Sequence, residues 1–238
     1  MSGVEASPWS VGVVIPARNE EKTIERCLSS VLASCDRTVR CERVWIVVAA
    51  DACTDATVLI ARRALKSRGR VIECAVQSSG SARRIGALAA LHHFKGLDPR
   101  HIWLANTDAD THVPENWLST HLSYADGNAS AVAGIVELDP EGLRADVEQL
   151  YRRTYKCAGD GTHEHVHGAN LGVRADAYLG VGGWRDVSVS EDHCLWDRMM
   201  RGGWRLRSPT ASVVLTSGRV QGRARGGFAD TLSRELHL

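Results

Sequence analysis

The chain lacks the sequence features of a membrane-spanning, disulfide-stapled or zinc-ribbon protein. No apolar run in its 238 residues approaches the ~20 residues that a membrane span needs. Its seven cysteines are odd in number and contain no C-x-x-C pair, which argues against a disulfide framework and a structural zinc site. The first residues lack the basic stretch and apolar core of a signal peptide. We therefore expect a cytoplasmic protein without a transmembrane segment, while peripheral membrane contact stays open.

The chain also lacks an excess of charge of either sign. Lys and Arg number 29 and Asp and Glu 28, so the net charge is +1. This balance gives no basis for bulk electrostatic binding to nucleic acid. The hydrophobic share of 44% and the charged share of 24% are typical of a globular fold. No repeat, low-complexity block or linker is present, so we expect a single domain over residues 1–238.

Apolar strand-like runs alternate with amphipathic helical stretches through the first half of the chain. The predicted strands are residues 11–15, 44–49, 70–76, 101–105 and 129–136, and the predicted helices are residues 20–33, 54–68, 81–94 and 117–124. This alternation predicts an α/β fold with a mostly parallel central sheet and helices on both faces. Ligands of such sheets bind beyond the carboxyl ends of the strands. Glu20, Asp51 and the pair Asp108 and Asp110 follow strand ends, so we expect a ligand site there.

The second half of the chain is less regular and rich in glycine. We predict helices over residues 143–157 and 191–201 and a strand over residues 212–216. We therefore expect residues 11–138 to form a nucleotide-binding half and residues 139–217 to form an acceptor half built on it.

The end of the chain, residues 218–238, is predicted to form a flexible lid and a last helix. Residues 218–227 contain four glycines together with Arg219, Arg223 and Arg225. Such a segment suits either a lid that closes over a diphosphate or a solvated basic loop. The helix would cover residues 228–236.

Asp108 and Asp110 are the strongest candidates for a metal site. They follow a buried strand and are separated by one small residue, so they project to the same side. Carboxylates this close repel unless a cation lies between them, and their oxygens suit Mg²⁺ or Mn²⁺ with substrate phosphates completing the shell. The alternative is an Asp-rich turn that caps a helix starting near Pro114.

His163, His165 and His167 alternate along the chain and therefore share one strand face. Imidazoles with this spacing suit a transition metal. Histidines that merely have ordinary hydrogen-bond partners are the commoner case, so we expect no second metal site here.

Seven short motifs, taken in order over about residues 11–207, resemble those of family 2 glycosyltransferases with the GT-A fold. In chain order they are Val14-Ile-Pro-Ala-Arg-Asn-Glu-Glu21, Ala50-Asp51-Ala-Cys-Thr-Asp55-Ala-Thr57, Gly80-Ser-Ala-Arg83-Arg-Ile-Gly86, Asp108-Ala-Asp110, His167-Gly-Ala-Asn170-Leu-Gly-Val-Arg174, Gly182-Gly-Trp184 and Glu191-Asp192-x-x-Leu195-x-x-Arg198. The chain departs from the family pattern at Ala50, Ala52, Cys53 and Arg84, where Asp, Gly, Ser and Asn are usual. These departures leave the base of the nucleotide open.

The resemblance implies an inverting, metal-dependent transfer of a sugar from a nucleotide-diphosphate donor to an acceptor hydroxyl. It assigns donor binding to Pro16, Arg18, Glu20, Asp51, Arg83 and Asp108, Mg²⁺ or Mn²⁺ binding to Asp108 and Asp110, acceptor binding to His167, Asn170, Trp184 and Glu191, and the general base to Asp192.

Elementary chemistry supports several of these roles and gives each a rival. Asp192 shares the inward helix face of Leu195 and Trp196, where a buried acid suits a general base, although it could instead cap the helix beside Glu191. Asp51 can accept an N–H of the base or cap the next helix with Thr54.

Three further residues carry two interpretations each. Glu20 suits ribose binding or the first turn of a helix. Arg83 suits a diphosphate contact or a salt bridge to Asp51 or Asp108. Trp184 suits an acceptor platform or a core position.

Three other functions fit parts of this pattern. A retaining GT-A glycosyltransferase shares the nucleotide-binding half. A sugar-1-phosphate nucleotidyltransferase also has an α/β sheet, but it normally opens with a Gly- and Arg-rich loop, whereas this strand ends in Pro16-Ala-Arg18-Asn-Glu20. An inactive nucleotide-sugar-binding module is the third alternative, and the presence of Asp108, Asp110 and Asp192 argues against it.

Overall fold

The computed structural model describes residues 9–141, 143–154, 157–187 and 189–219. Its strands are β1 (Trp9–Ala17), β2 (Cys41–Asp51), β3 (Gly69–Cys74), β4 (Ile102–Asn106), β5 (Thr111–His112), β6 (Ala131–Ala133), β7 (Ile135–Leu138), β8 (Leu171–Arg174), β9 (Leu206–Arg207) and β10 (Val213–Thr216). Its α-helices are α1 (Ile24–Arg37), α2 (Thr57–Leu65), α3 (Ser79–His93), α4 (Trp117–Asp126), α5 (Ala145–Thr154), α6 (Ala175–Gly180) and α7 (Glu191–Arg201). Short 3₁₀ turns cover Pro99–His101 and Gly168–Asn170.

A seven-stranded sheet in the order β3-β2-β1-β4-β8-β6-β9 forms the centre of the fold. The strands β3, β2, β1 and β4 run parallel, and β8 runs antiparallel between β4 and β6. A second, three-stranded sheet has the order β5-β10-β7. The expectation of a mostly parallel central sheet is confirmed.

Two apolar layers cover the two faces of the central sheet, as predicted. On one face, Val11, Val13 and Ile15 of β1 pack with α1, α2 and α4. On the other face, Val14 and the central residues of β2 and β4 pack with α3, α6 and α7. The alternation within β1 follows from the two-residue period of a strand. Helices on both faces leave the carboxyl edge of the parallel strands open for a site.

The first strand continues through Pro16, which the sequence analysis took as its end. Val14 O accepts a hydrogen bond from Thr107 N at 3.2 Å, so Val14 faces β4. Pro16, two residues later, faces the same side, where pairing with β4 has already stopped at Asn106. Proline lacks an N–H, but β4 offers no carbonyl at this position, so the sheet loses no hydrogen bond there.

The predicted fifth strand over residues 129–136 is wrong as a single element. The structure divides it at Gly134 into β6 in the central sheet and β7 in the small sheet. Gly134 N donates to Asn170 O at 2.9 Å. A Cβ on Gly134 would collide with the Asn170 amide and would lie 2.6 Å from Ser212 O, so only glycine fits this crossing.

Three short strands and one helix were missed by the sequence analysis, namely β5, β8, β9 and α6. Their lengths, from two residues to six, are too short to establish a hydrophobic period. The helix predicted from residue 20 begins at Ile24, because Thr23 N and Ile24 N first donate to Glu20 O in a turn. Within the described ranges, no helix combines the length and the apolar character needed to cross a membrane.

His121 on α4 should make the stability of the fold depend on pH. It is fully buried, its Nε2 lies 3.1 Å from Asn170 Oδ1, and burial lowers its pKa from 6.5 to about 4. Between these values the unfolded chain binds a proton that the folded protein does not bind. Stability should therefore fall as the pH drops below about 6.5, by about 2 kcal/mol near pH 5.

Urea unfolding at a series of pH values measures this dependence. His121→Leu should flatten the curve, because Leu does not titrate, whatever its effect on stability at neutral pH. His92→Leu on the exposed side of α3 is the matched control and should leave the curve unchanged. A His121→Leu curve as steep as that of the unaltered protein would contradict this assignment.

Candidate active site

Polar side chains tie together the loops that follow β1 and β2. Asn19 Oδ1 accepts from Thr54 N at 2.8 Å, and Thr57 Oγ1 accepts from Glu20 N at 2.7 Å. Asn19 and Ala52 take positive φ angles of 54° and 50°, a left-handed conformation that is uncommon for residues other than glycine. Pro16 and Arg18, which were predicted to bind the sugar donor, lie at the end of β1 and directly after it. Both residues are half-buried.

Asp51 holds the loop between β3 and α3. Its Oδ1 accepts from Val76 N at 2.8 Å and Gln77 N at 2.9 Å, and its Oδ2 accepts from Ser78 N at 3.1 Å. The predicted cap with Thr54 is not formed, since Thr54 N donates to Asn19 instead. A carboxylate has about four acceptor positions, so these three hydrogen bonds leave one position of Asp51 for an N–H of a base.

Arg83 is a buried cation at the centre of the site. Its Nη2 donates to Asp108 Oδ1 at 2.6 Å, and its Nε lies 3.6 Å from Glu191 Oε1. The guanidinium lies 5.6 Å from the ring centroid of Trp184, within cation–π range. Of the salt bridges predicted for Arg83, the one to Asp108 is therefore present.

Gly168 leaves room for the guanidinium of Arg83 because it has no side chain. A Cβ at this position would lie 2.5 Å from Arg83 Nη2 and 2.6 Å from Arg83 Cζ, so any larger residue would displace the cation. The glycine's N–H is also used, because it donates to Asp192 Oδ2 at 3.0 Å. The same turn therefore contacts both the central cation and the predicted general base.

Asp108 and Asp110 project from the turn after β4. Asp108 O accepts from Thr111 N at 3.1 Å and from the Cys27 thiol at 3.2 Å, which fixes the turn. The side chain of Asp108 is 34% exposed, whereas that of Asp110 is only 10% exposed. The pKa of Asp110 is raised to about 6, first by burial and then by the charges of Asp108 and Glu20, while the charge of Arg219 opposes this increase.

Arg219 contacts two of the predicted site carboxylates. Its Nη1 and Nη2 donate to the two oxygens of Glu20 at 3.0 and 2.8 Å, and Nη2 lies 3.1 Å from Asp110 Oδ2. Glu20 Oε2 also accepts from the Thr23 hydroxyl at 2.8 Å. Arg223, Arg225 and the predicted last helix lie outside the described residues, so the lid hypothesis stays a prediction.

The acidic pair Glu191 and Asp192 opens α7. Glu191 Oε1 accepts from the Ser79 hydroxyl at 2.7 Å, and Asp192 Oδ1 accepts from His193 N at 2.8 Å. Burial raises the pKa of Asp192 above its ordinary value, and the charge of Glu191 adds to this.

The inward face of α7 is as predicted from the spacing of its residues. Leu195 is fully buried and Trp196 is 8% exposed. Asp192, one turn earlier on the same face, is therefore half-buried beside the core.

Two of the predicted acceptor residues are core residues. Trp184 is 1% exposed and Asn170 is fully buried. The Asn170 amide donates to Ile135 O and Ser212 O at 2.8 and 3.1 Å and accepts from Trp117 Nε1 at 3.0 Å. These contacts give Asn170 a structural role instead of the predicted contact with the acceptor. Trp184 occupies a core position, which was the alternative interpretation of this residue.

Arg198 is a positioning residue that the sequence analysis did not single out. Its guanidinium donates to Gly183 O at 2.7 Å and to Val181 O, and so holds the turn that carries Trp184. Trp184 N donates to the Tyr178 hydroxyl at 3.1 Å. The place of Arg198 in the motif that begins at Glu191 was the only signal in the sequence for this role.

The three alternating histidines share one face, as predicted. The ring centroids of His163 and His165 are 6.0 Å apart, and those of His165 and His167 are 6.1 Å apart. Burial lowers the pKa of His167 to about 4, so this ring is neutral at physiological pH. In the part of the chain that the structure describes, no three His, Cys, Asp or Glu side chains form a group that could hold a metal alone.

A cavity of about 390 Å³ adjoins Asp110 on the side of α1. Charged side chains of both signs line it, among them Lys22, Arg26, Asp139 and Glu141. Arg26 is held at 2.5 Å from Asp139, so part of this charge is already paired.

Several solved glycosyltransferase structures resemble this fold. The mannosyltransferase PcManGT from Pyrobaculum calidifontis, in complex with GDP-Man and Mn²⁺, matches with a TM-score of 0.64 and 19% identity over 88% of this chain and 57% of its own. TarS 1-349 from S. aureus, in complex with UDP-GlcNAc, matches with a TM-score of 0.65 and 12% identity over 92% of this chain and 61% of its own. GalNAc-T7 with UDP, GalNAc and Mn²⁺ matches with a TM-score of 0.65 and 15% identity over 92% and 47%.

These TM-scores establish the shared GT-A fold, and the chain spans about half to three fifths of the length of these proteins. No curated protein matches the sequence. The family profile for glycosyl transferase family 2 matches residues 12–179, which include most of β1, the Asp108–Asp110 turn and the Gly168 turn. The chain therefore belongs to glycosyl transferase family 2.

Proposed function

We propose that the protein is an inverting, metal-dependent glycosyltransferase that moves a sugar from a nucleotide-diphosphate donor to an acceptor hydroxyl. The observation that carries this proposal is the position of Arg83. This one buried side chain lies 2.6 Å from Asp108 and 3.6 Å from Glu191, which supports one site shared by the proposed metal ligands and the start of α7. Asp108, proposed for the donor side, and Glu191, proposed for the acceptor side, are thereby separated by about the width of the Arg83 guanidinium.

Asp192 is the proposed general base. Its pKa is raised by burial and by Glu191, so it binds a proton better than an exposed aspartate does. It would take the proton of the acceptor hydroxyl as the hydroxyl oxygen forms a bond to the anomeric carbon. The bond from that carbon to the donor diphosphate breaks on the opposite face, and the diphosphate leaves with the electron pair.

Asp108 and Asp110 would hold a divalent cation together with the donor diphosphate. Two carboxylates with phosphate and water oxygens are a usual ligand set for Mg²⁺ or Mn²⁺. The residues fit such an ion, because a cationic group, Arg219, already lies 3.1 Å from Asp110. A bound ion would supply Lewis-acid stabilisation of the charge on the departing diphosphate.

The donor side of the cleft would be formed by Pro16, Arg18, Glu20 and Asp51. The resemblance of the first two loop motifs supports this assignment, and the hydrogen bonds between those loops give the surface a defined shape. The half-buried His167 next to Gly168 and the Glu191 carboxylate would contact the acceptor. Membership of family 2 favours transfer of a sugar over the nucleotidyltransferase alternative.

Asp192→Asn should retain donor binding and lose transfer by roughly two orders of magnitude or more, the scale of general-base catalysis. The amide keeps the shape of the carboxylate but takes up no proton. Released nucleoside diphosphate, measured across a panel of donors and acceptors, gives the rate, and NMR of the product gives its anomeric configuration.

Asp197→Asn is the matched control, because Asp197 lies on the exposed side of the same helix. It should transfer at the unaltered rate. A fully active Asp192→Asn variant would exclude Asp192 as the base and make Glu191 the next candidate. Retained configuration in the product would exclude the inverting mechanism.

Asp110→Asn should remove the metal-dependent part of nucleotide binding. Calorimetric titration with UDP and with GDP, each with and without Mn²⁺, measures that part as a difference in affinity. Asp139→Asn, across the neighbouring cavity, should keep the full Mn²⁺ effect. An equal Mn²⁺ effect in Asp110→Asn and in the unaltered protein would contradict the assignment of the metal to this carboxylate.

A further inference from the structure

Two arginines contact the metal motif, and they differ in how freely they can leave it. The Arg83 side chain is only 5% exposed and is packed against Gly168 and Trp184. The Arg219 side chain is 29% exposed and reaches its partners from the far end of the described chain. Arg83 is a charge packed inside the core, whereas Arg219 is already half-exposed and could move into water once another cation balances Glu20 and Asp110.

Arg219 uses the donor geometry that makes arginine a strong carboxylate ligand. Two of its nitrogens contact the two oxygens of Glu20 at 3.0 and 2.8 Å, and Nη2 also lies 3.1 Å from Asp110 Oδ2. The second oxygen of Asp110 accepts from the Thr216 hydroxyl at 3.4 Å. Both oxygens of Asp110 therefore have a partner, and its side chain is 10% exposed.

A divalent ion and this guanidinium need the same oxygen. Mg²⁺ takes its oxygen ligands at about 2.1 Å. An ion at that distance from Asp110 Oδ2 would face a guanidinium nitrogen that contacts the same atom, and two cations so close repel each other.

We infer that Arg219 occupies the cation position at Asp110 in the free protein, so that a divalent ion must displace it to bind. This inference rests on the proposed metal site. It goes beyond that site by assigning to Arg219 a competition with the ion. The bound diphosphate, which is anionic, would offer the displaced guanidinium a new partner, and donor binding would then favour metal binding through this exchange.

Direct binding of Mn²⁺ in the absence of any nucleotide tests the competition. Bound Mn²⁺ loses the sharp EPR signal of the free ion, so a titration gives a dissociation constant without any measurement of activity. Arg219→Gln should bind Mn²⁺ about tenfold more tightly than the unaltered protein, the scale of a hydrogen bond to a charged group. Arg219→Lys should fall between the two, because lysine cannot make the paired contact with Glu20.

Arg207→Gln is the matched control. Arg207 is an exposed arginine on β9 whose described hydrogen bond is to Leu206 O, and its loss should leave the affinity for Mn²⁺ unchanged. Circular dichroism establishes that each variant is folded. If Arg219→Gln does not fold, the tighter binding expected of Arg219→Lys carries the test.

The possible outcomes separate this inference from the proposed function. Equal or weaker Mn²⁺ binding by both Arg219 variants, with normal Mn²⁺ binding by the unaltered protein in the presence of UDP or GDP, would overturn the competition and leave the metal site standing. No Mn²⁺ binding by any variant, with or without UDP and GDP, would overturn the metal site and the competition together.

Discussion

The ion pair between Arg83 and Asp108 is the interaction on which the rest of the site depends. A guanidinium that is 5% exposed must have an anion close by, because an uncompensated charge in the core costs several kcal/mol. That requirement places the turn after β4 against α3. It also brings α7 close, since Glu191 lies 3.6 Å from the same guanidinium. The three elements that carry the proposed chemistry are thereby held by one cation.

The two aspartates of the proposed metal site, Asp108 and Asp110, pair with arginines that differ in how deeply they are buried. Asp108 is paired with a buried arginine, and Asp110 with a more exposed arginine that we infer can leave. A site with two buried arginines would resist a divalent ion, and a site with none would carry several unbalanced carboxylates. In the proposed site, one buried arginine and one half-buried arginine would balance the charge of the carboxylates until an ion binds.

Much of the fold could be predicted because its signals are local. The parallel strands and helices of the first half have clear two-residue and 3.6-residue periods, and the inward face of α7 follows from the spacing of Asp192, Leu195 and Trp196. The pairing of Arg83 with an aspartate was also among the predicted alternatives.

What could not be predicted depends on contacts between distant parts of the chain. Asn170 resembled an acceptor residue, yet its amide joins Ile135, Ser212 and Trp117 in the core. Glu20 and Arg219 are 199 positions apart, and nothing local to either residue indicates their contact. The break at Gly134 lies inside a mostly apolar stretch, where the approach of Asn170 and of Ser212 O explains it.

The left-handed residues around the proposed site have a consequence for how this protein could be altered. Asn19, Ala52, Gln77 (φ 52°) and Ser190 (φ 57°) lie in the loops that surround the proposed cleft. Each adopts a conformation that costs on the order of 1 kcal/mol without a glycine. Glycine there would relieve that strain but would also free the unbound loop to sample other shapes. The chain thus retains a locally unfavourable backbone at these four positions, and relief of the strain and rigidity of the loops would call for opposite substitutions there.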